Sequence, residues 1–154
     1  MGIEKVRKFF GQFGLEGRVR EFDVSSATVE LAARALGCEE ERIAKTLSFK
    51  KDNECVLIVC AGDKRVDNKK FKTFFDTKAK MLTPDEVFEF TGYNIGGVCP
   101  FAIENKNTKI YCDISLKRFS TVFPACGSSN SAIELSCDEL FKYSNALEWI
   151  DVCK

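Results

Sequence analysis

Histidine is absent from all 154 residues. That absence excludes a Ser-His-Asp or Cys-His pair, an imidazole general base and any His-ligated metal centre. Apolar runs long enough to span a bilayer are also missing, because Lys, Asp or Glu interrupts every one of them, and no membrane association is expected. The eight cysteines (38, 55, 60, 99, 112, 126, 137 and 153) include no pair at the close spacing from which zinc sites draw two ligands on one turn. The reading is reduced thiols packed as small hydrophobes, with no metal and no cofactor. Net charge is zero, 23 basic residues against 23 acidic, so nothing global announces a polyanionic partner. The segment from Met1 to Phe13 carries Glu4, Lys5, Arg7 and Lys8 among its apolar residues, unlike a signal or transit peptide, and a cytoplasmic location is expected.

What is present is one domain's worth of chain with an ordinary apolar content of 45%. Glu4–Phe13 reads as a short amphipathic helix stopped by Gly14, and Arg18–Phe22 alternates as a half-buried strand does. Ser25 or Ser26 offers an N-cap for a helix through Leu36, with Gly37 at the C-cap. Thr46–Lys51 and Glu54–Ala61 form a hairpin around Asp52-Asn53, and the odd separation of Cys55 and Cys60 sends them to opposite faces. Asp67 or Asn68 caps a helix over Lys69–Phe75. Capping boxes at Thr83–Glu86 and Ser136–Glu139 open two more helices. Lys109–Asp113, Thr121–Phe123, Ala132–Ser136 and Trp149–Val152 complete the strands, giving a mixed α/β (α+β) domain over residues 1–154.

Two loops hold glycines where no regular element is expected: Tyr93 to Phe101, with Gly96, Gly97 and Pro100, and Phe123 to Asn130, with Cys126, Gly127, Ser128 and Ser129. Such loops can turn N–H groups toward an anion or a carbonyl oxygen. Between Asp63 and Lys80 seven basic residues face three acidic ones, and Lys64, Arg65, Lys69, Lys70 and Lys72 make a candidate nucleic-acid patch.

Lys45-Thr46-Leu47, the run from Val59 through Ala61-Gly62-Asp63 to Asp67, Gly92–Pro100, Asp113 and Ile133-Glu134-Leu135 occur in an order that resembles the YbaK/ProX family of aminoacyl-tRNA deacylases, from about Arg18 to Tyr143. The resemblance implies a compact, barrel-like mixed sheet surrounded by helices. It also implies an activity: hydrolysis of the ester joining a wrong amino acid to the terminal adenosine of a transfer RNA. The partners it implies are the aminoacyl-tRNA acceptor end and an aminoacyl-tRNA synthetase. The cysteine-editing branch of that family has a Tyr where this chain has Phe22 and an Asp where it has Ala132, so alanine, 2-aminobutyrate, serine and threonine are open as substrates alongside cysteine.

An aminoacyl ester is already activated, so positioning and oxyanion stabilisation suffice without histidine. Lys45 is expected to hold the terminal phosphate or ribose, and backbone N–H groups at Gly96, Gly97 and Gly127 the ester carbonyl. Phe22, Thr46, Tyr93, Pro100, Asp113, Cys126, Ser128 and Ser129 are expected around the substrate, with Phe49 also shaping the wall. Asp113 either orients Lys45 or caps the turn after its strand. The other reading is a non-catalytic tRNA- or synthetase-binding module of the same fold.

Overall fold

The computed structural model describes residues 2–154. Its centre is the hairpin of β2 (Ile43–Lys51) and β3 (Glu54–Ala61), paired antiparallel from Ala44↔Ala61 to Lys51↔Glu54, with Asp52 in the left-handed region at φ 54°. On the far side of β3 lie β4 (Thr108–Asp113) and then β8 (Trp149–Ile150), both parallel. On the far side of β2 lies β5 (Thr121–Pro124), parallel to it, followed by antiparallel β7 (Leu135–Ser136). The six strands curl into a half-barrel in the order β7-β5-β2-β3-β4-β8. A separate two-stranded piece joins β1 (Arg20–Glu21) to β6 (Ser131–Ala132).

β3 is buried on both faces, which is why it reads as an unbroken apolar run. Its Cys55, Leu57, Val59 and Ala61 face a core shared with Val6 and Phe10 of α1 (Gly2–Gly11), Val87 of α4 (Pro84–Thr91) and Leu140 of α5 (Cys137–Tyr143). Val56, Ile58 and Cys60 face the other way, onto Phe71 and Phe75 of α3 (Asn68–Phe75). Removing a ring such as Phe71 from this side would cost about 3–5 kcal/mol. Ala32 and Ala33 of α2 (Val29–Leu36) pack on Ile43 and Phe123.

Several boundaries differ from the sequence expectation, each for a local reason. Arg18 belongs to a 3-10 turn, where its guanidinium bonds both carboxylate oxygens of Glu139, so the first strand shrinks to two residues. The N-cap of α2 is Thr28, whose hydroxyl accepts from Leu31 N–H at 3.1 Å; Ser25 instead accepts from Ala27 N–H. The segment Ala132–Ser136 serves two sheets, because Ile133 N–H turns back to the Pro124 carbonyl between β6 and β7. Phe49, expected on a pocket wall, packs against Phe71 in the core.

Both expected capping boxes form. In the first, the Glu86 carboxylate accepts from Thr83 N–H at 2.9 Å and lies 3.0 Å from the Lys50 ammonium. The Thr83 N–H first and the Lys50 ammonium second hold its pKa down to about 2, against an ordinary 4.5. A carboxylate whose folded pKa is depressed stabilises the fold above its unfolded value and loses that contribution as pH falls through the folded one. Thermal unfolding followed from pH 4.5 down to 2 should therefore show a shallower loss of stability in Glu86→Gln than in the wild type. Identical slopes would remove Glu86 from the acid response.

Candidate active site

β2 is paired unequally along its two edges. β3 covers one edge from Ala44 to Lys51, whereas β5 covers the other only at Ile43 and Ala44. The outer edge is next engaged at Phe49, opposite Met81, and at Lys50, whose N–H donates to the Lys80 carbonyl. Between these points Lys45, Thr46, Leu47 and Ser48 line a cleft of about 260 Å³. Its walls are Ala27, Val29 and Ala32 at the start of α2, Ala125 and Ala132 near the β5–β6 turn, and Ile95, Gly96 and Val98 after α4. Met81 and Ile95 stand at the rim, each 65% exposed.

Lys45 is half-buried, and its ammonium donates to the Gly62 carbonyl at 3.4 Å. It shares a strand face with its partner Cys60, on the side that α3 covers. Gly62 lets this corner close: a Cβ there would strike the Glu40 carbonyl and Val29 Cγ1. Gly96 lines the cleft with φ 94°, a backbone conformation that side-chain-bearing residues rarely adopt. Gly97 lies behind it and its N–H already donates to the Asn94 carbonyl, so it is not a donor for substrate. Its role is close approach, since a Cβ would sit 2.9 Å from Ser128 Cα and 3.0 Å from the Gly127 carbonyl carbon. The two glycine loops touch back to back at this point.

Other expected site residues support the cleft from behind or lie outside its lining. Gly127 packs against Gly2 and the Tyr93 ring. Tyr93 is buried, with its hydroxyl donating to the Phe101 carbonyl at 2.5 Å; burial pushes its pKa well up, so it holds the loop together. Cys126 is fully enclosed, and burial raises its thiol well above the ordinary value, opposite to what a nucleophile needs. The Asp113 carboxylate accepts from Ser115 and Val152 N–H, both at 2.9 Å, and so caps a turn and ties the C-terminal segment. Ser128 bonds Asn130 and Ser131, while the Ser129 carbonyl accepts from Ser26 N–H. Phe22 lies beneath the Arg20 guanidinium, outside the cleft lining. Pro100 lines a separate groove of about 550 Å³ between α1 and the end of α5, where none of the other expected site residues appears.

Within the basic patch, Lys70 is tied to the Asp151 carboxylate and the Cys153 carbonyl, each at 3.0 Å, while Arg65, Lys69 and Lys72 are exposed. Among the described residues no cluster of Cys, Asp and Glu has the makings of a metal site, and no helix is long and apolar enough to cross a membrane. Ser26 and Ser48 join the site without having been expected in it, while Ile95 of the first glycine loop and Ala132, the position where the cysteine-editing branch has an Asp, line it as well. Only a strand register would have marked Ser48.

The aminoacyl-tRNA editing domain profile matches residues 23–143, and the chain belongs to that family. It is 54% identical over 155 residues to the uncharacterised protein YwhH of Bacillus subtilis, covering all of this chain and 98% of the relative. It is 32% identical over 87 residues to the proline–tRNA ligase of Staphylococcus aureus, a match that takes in 56% of this chain but 15% of the ligase. Among solved structures, one described as a candidate trans-editing enzyme for prolyl tRNA synthetase superposes with a TM-score of 0.88 at 28% identity, covering 99% of this chain and 97% of the other. The protein APE2540 superposes with a TM-score of 0.85 at 30% identity, covering 97% and 99%.

Because Gly97 forms the contact between the loops, Gly97→Ala should lower stability by about 1–3 kcal/mol, as overpacking does. Gly17→Ala, with nothing within 4 Å of the added carbon, should be close to neutral. Paired thermal melts check this, and equal melting temperatures would show that the loops separate freely.

Proposed function

We propose that this domain is a hydrolase that removes small, uncharged amino acids from mischarged transfer RNA. The observation that carries the reading is the content of one cleft in a member of the editing-domain family. Among the described residues Lys45 is the single charged one lining it, Gly96 contributes a left-handed amide, and small aliphatic residues make the walls. Among the described residues no carboxylate or guanidinium lines the cleft to pair a charged substrate side chain, and its volume of about 260 Å³ suits a small apolar or hydroxylated side chain. One methylene discriminates by only about 1–3 kcal/mol, so several small amino acids fit the same description.

In the reaction a water oxygen attacks the ester carbonyl carbon, the carbon–oxygen bond to the ribose breaks, and the released ribose oxygen takes up a proton. The products are a free amino acid and an uncharged acceptor end. Lys45 exchanges its contact with the Gly62 carbonyl for the terminal phosphate or ribose. The N–H of Gly96, a residue of the cleft lining, serves the developing oxyanion. Met81 and Ile95 on the rim give the terminal adenine an apolar seat. Lys64, Arg65, Lys69 and Lys72 extend a basic surface toward the acceptor-stem phosphates, which makes activity fall with added salt. The likeness to part of a proline–tRNA ligase and to a candidate trans-editing enzyme supports a proline-type transfer RNA, delivered by a synthetase, as the substrate.

A panel of mischarged transfer RNAs, followed for ester loss above the buffer rate, tests the reading. The wild type should deacylate at least one small aminoacyl-tRNA, and Lys45→Ala should lower its kcat/KM about a hundredfold. Binding without ester loss across the whole panel would favour a non-catalytic module. Undiminished turnover by Lys45→Ala would remove Lys45 from the chemistry.

A further inference from the structure

The cleft presents a charge problem that its side chains do not solve. Every aminoacyl ester with a free amine brings an α-ammonium group, and a cation taken out of water needs acceptors. Among the described residues the sole charged one lining the cleft is Lys45, itself a cation, and no carboxylate lines it. The acceptor must come from hydroxyls or from the main chain.

The register of β2 shows where. Ala44 is the outward residue against β5, Lys50 N–H points outward to the Lys80 carbonyl, and Lys51 closes the hairpin against Glu54. In a strand, residues with both main-chain groups on one side alternate with residues facing the other. Ala44, Thr46, Ser48 and Lys50 therefore turn their N–H and C=O away from β3, while Lys45, Leu47 and Phe49 bond to it. Thr46 falls in the unpaired stretch, so its N–H and C=O both face the cleft, with no strand opposite. An unpaired edge of this kind takes up any partner that offers the complementary pair of groups. A second unanswered polar group borders the same space: Ser26 lines the cleft, and its hydroxyl is buried with no hydrogen-bond partner.

We propose that the amino-acid head group binds as one added residue on the open edge of β2. Its α-ammonium donates to the Thr46 carbonyl, the Thr46 N–H donates to the ester carbonyl, and the Ser26 hydroxyl accepts a second ammonium hydrogen. The subsite thereby selects esters of α-amino acids with a free amine, whatever small side chain they carry, and it discriminates against α-hydroxyacyl esters of the same shape. Recognition by main chain also separates two tasks: the edge reads the head group and the aliphatic walls read the side chain. The proposal rests on the deacylase reading of the cleft.

The experiment compares the aminoacyl-tRNA that the enzyme turns over fastest with its α-hydroxyacyl counterpart, prepared by nitrous deamination. The two are matched in size, and each enzymatic kcat/KM is divided by the spontaneous rate of that ester. Loss of a charge-assisted hydrogen bond predicts that the hydroxyacyl ester is disfavoured roughly tenfold to a hundredfold, with Ser26→Ala shrinking that ratio. Equal normalised rates would overturn the proposal while leaving the hydrolase reading intact. Should neither ester be hydrolysed, the hydrolase reading fails on its own. Calorimetry with 3′-alanylamino-3′-deoxyadenosine and its lactyl counterpart then decides the subsite: tighter binding of the amine supports it, and equal binding refutes it.

Discussion

Main-chain pairing along β2 is satisfied on one side and interrupted on the other, and the site is built on that interruption. The inner edge is fixed by eight consecutive partners in β3, so the strand cannot drift to fill the gap. The outer edge is closed above by β5 and below by the segment at Met81, which sets the length of the opening at Lys45–Ser48. A buried peptide group without a partner is costly, and most are paired. Leaving some unpaired inside a cleft is stable when water or a ligand takes the missing place.

The surrounding elements shape the cleft rather than supplying reactive groups. Thr28 starts α2 at the rim, and Gly62 lets β3 end against the chain ahead of β2. The two glycine loops brace each other through Gly97 and Gly127, with Tyr93 and Phe101 locked behind them. Buried thiols such as Cys126 and a carboxylate such as Asp113 are consumed by packing and capping. With no histidine in the chain, the proposed hydrolysis rests on electrostatic placement of an ester that is already reactive.

Much of the fold could be read from local rules, because its signals are local. The capping boxes at Thr83 and Ser136, the Asp67 cap, and the opposed faces of Cys55 and Cys60 follow from neighbours a few residues apart. What escaped was set by distant partners. Arg18 leaves a strand because Glu139 holds it, and residues 132–136 divide between sheets because β1 and β5 compete for them. The site was legible to the same degree. Lys45, Thr46 and Gly96 carry a pattern in the sequence and line the cleft. Tyr93, Cys126 and Asp113 have chemistry-bearing side chains whose burial no single sequence reveals. Gly97 stands next to the cleft for reasons of space, its N–H already bound. Nothing local announces that the outer edge of Thr46 lacks a partner, since that depends on β5 stopping at Pro124.

The most direct test observes the strand itself. Backbone amide resonances of the ¹⁵N-labelled protein would be followed during titration with a non-hydrolysable 3′-aminoacylamino-adenosine. The account predicts the largest shifts at Thr46 and Gly96, with smaller ones at Ser26 and Gly62. Shifts confined to the groove beside Phe9 and Phe13, with Thr46 unmoved at saturation, would contradict it.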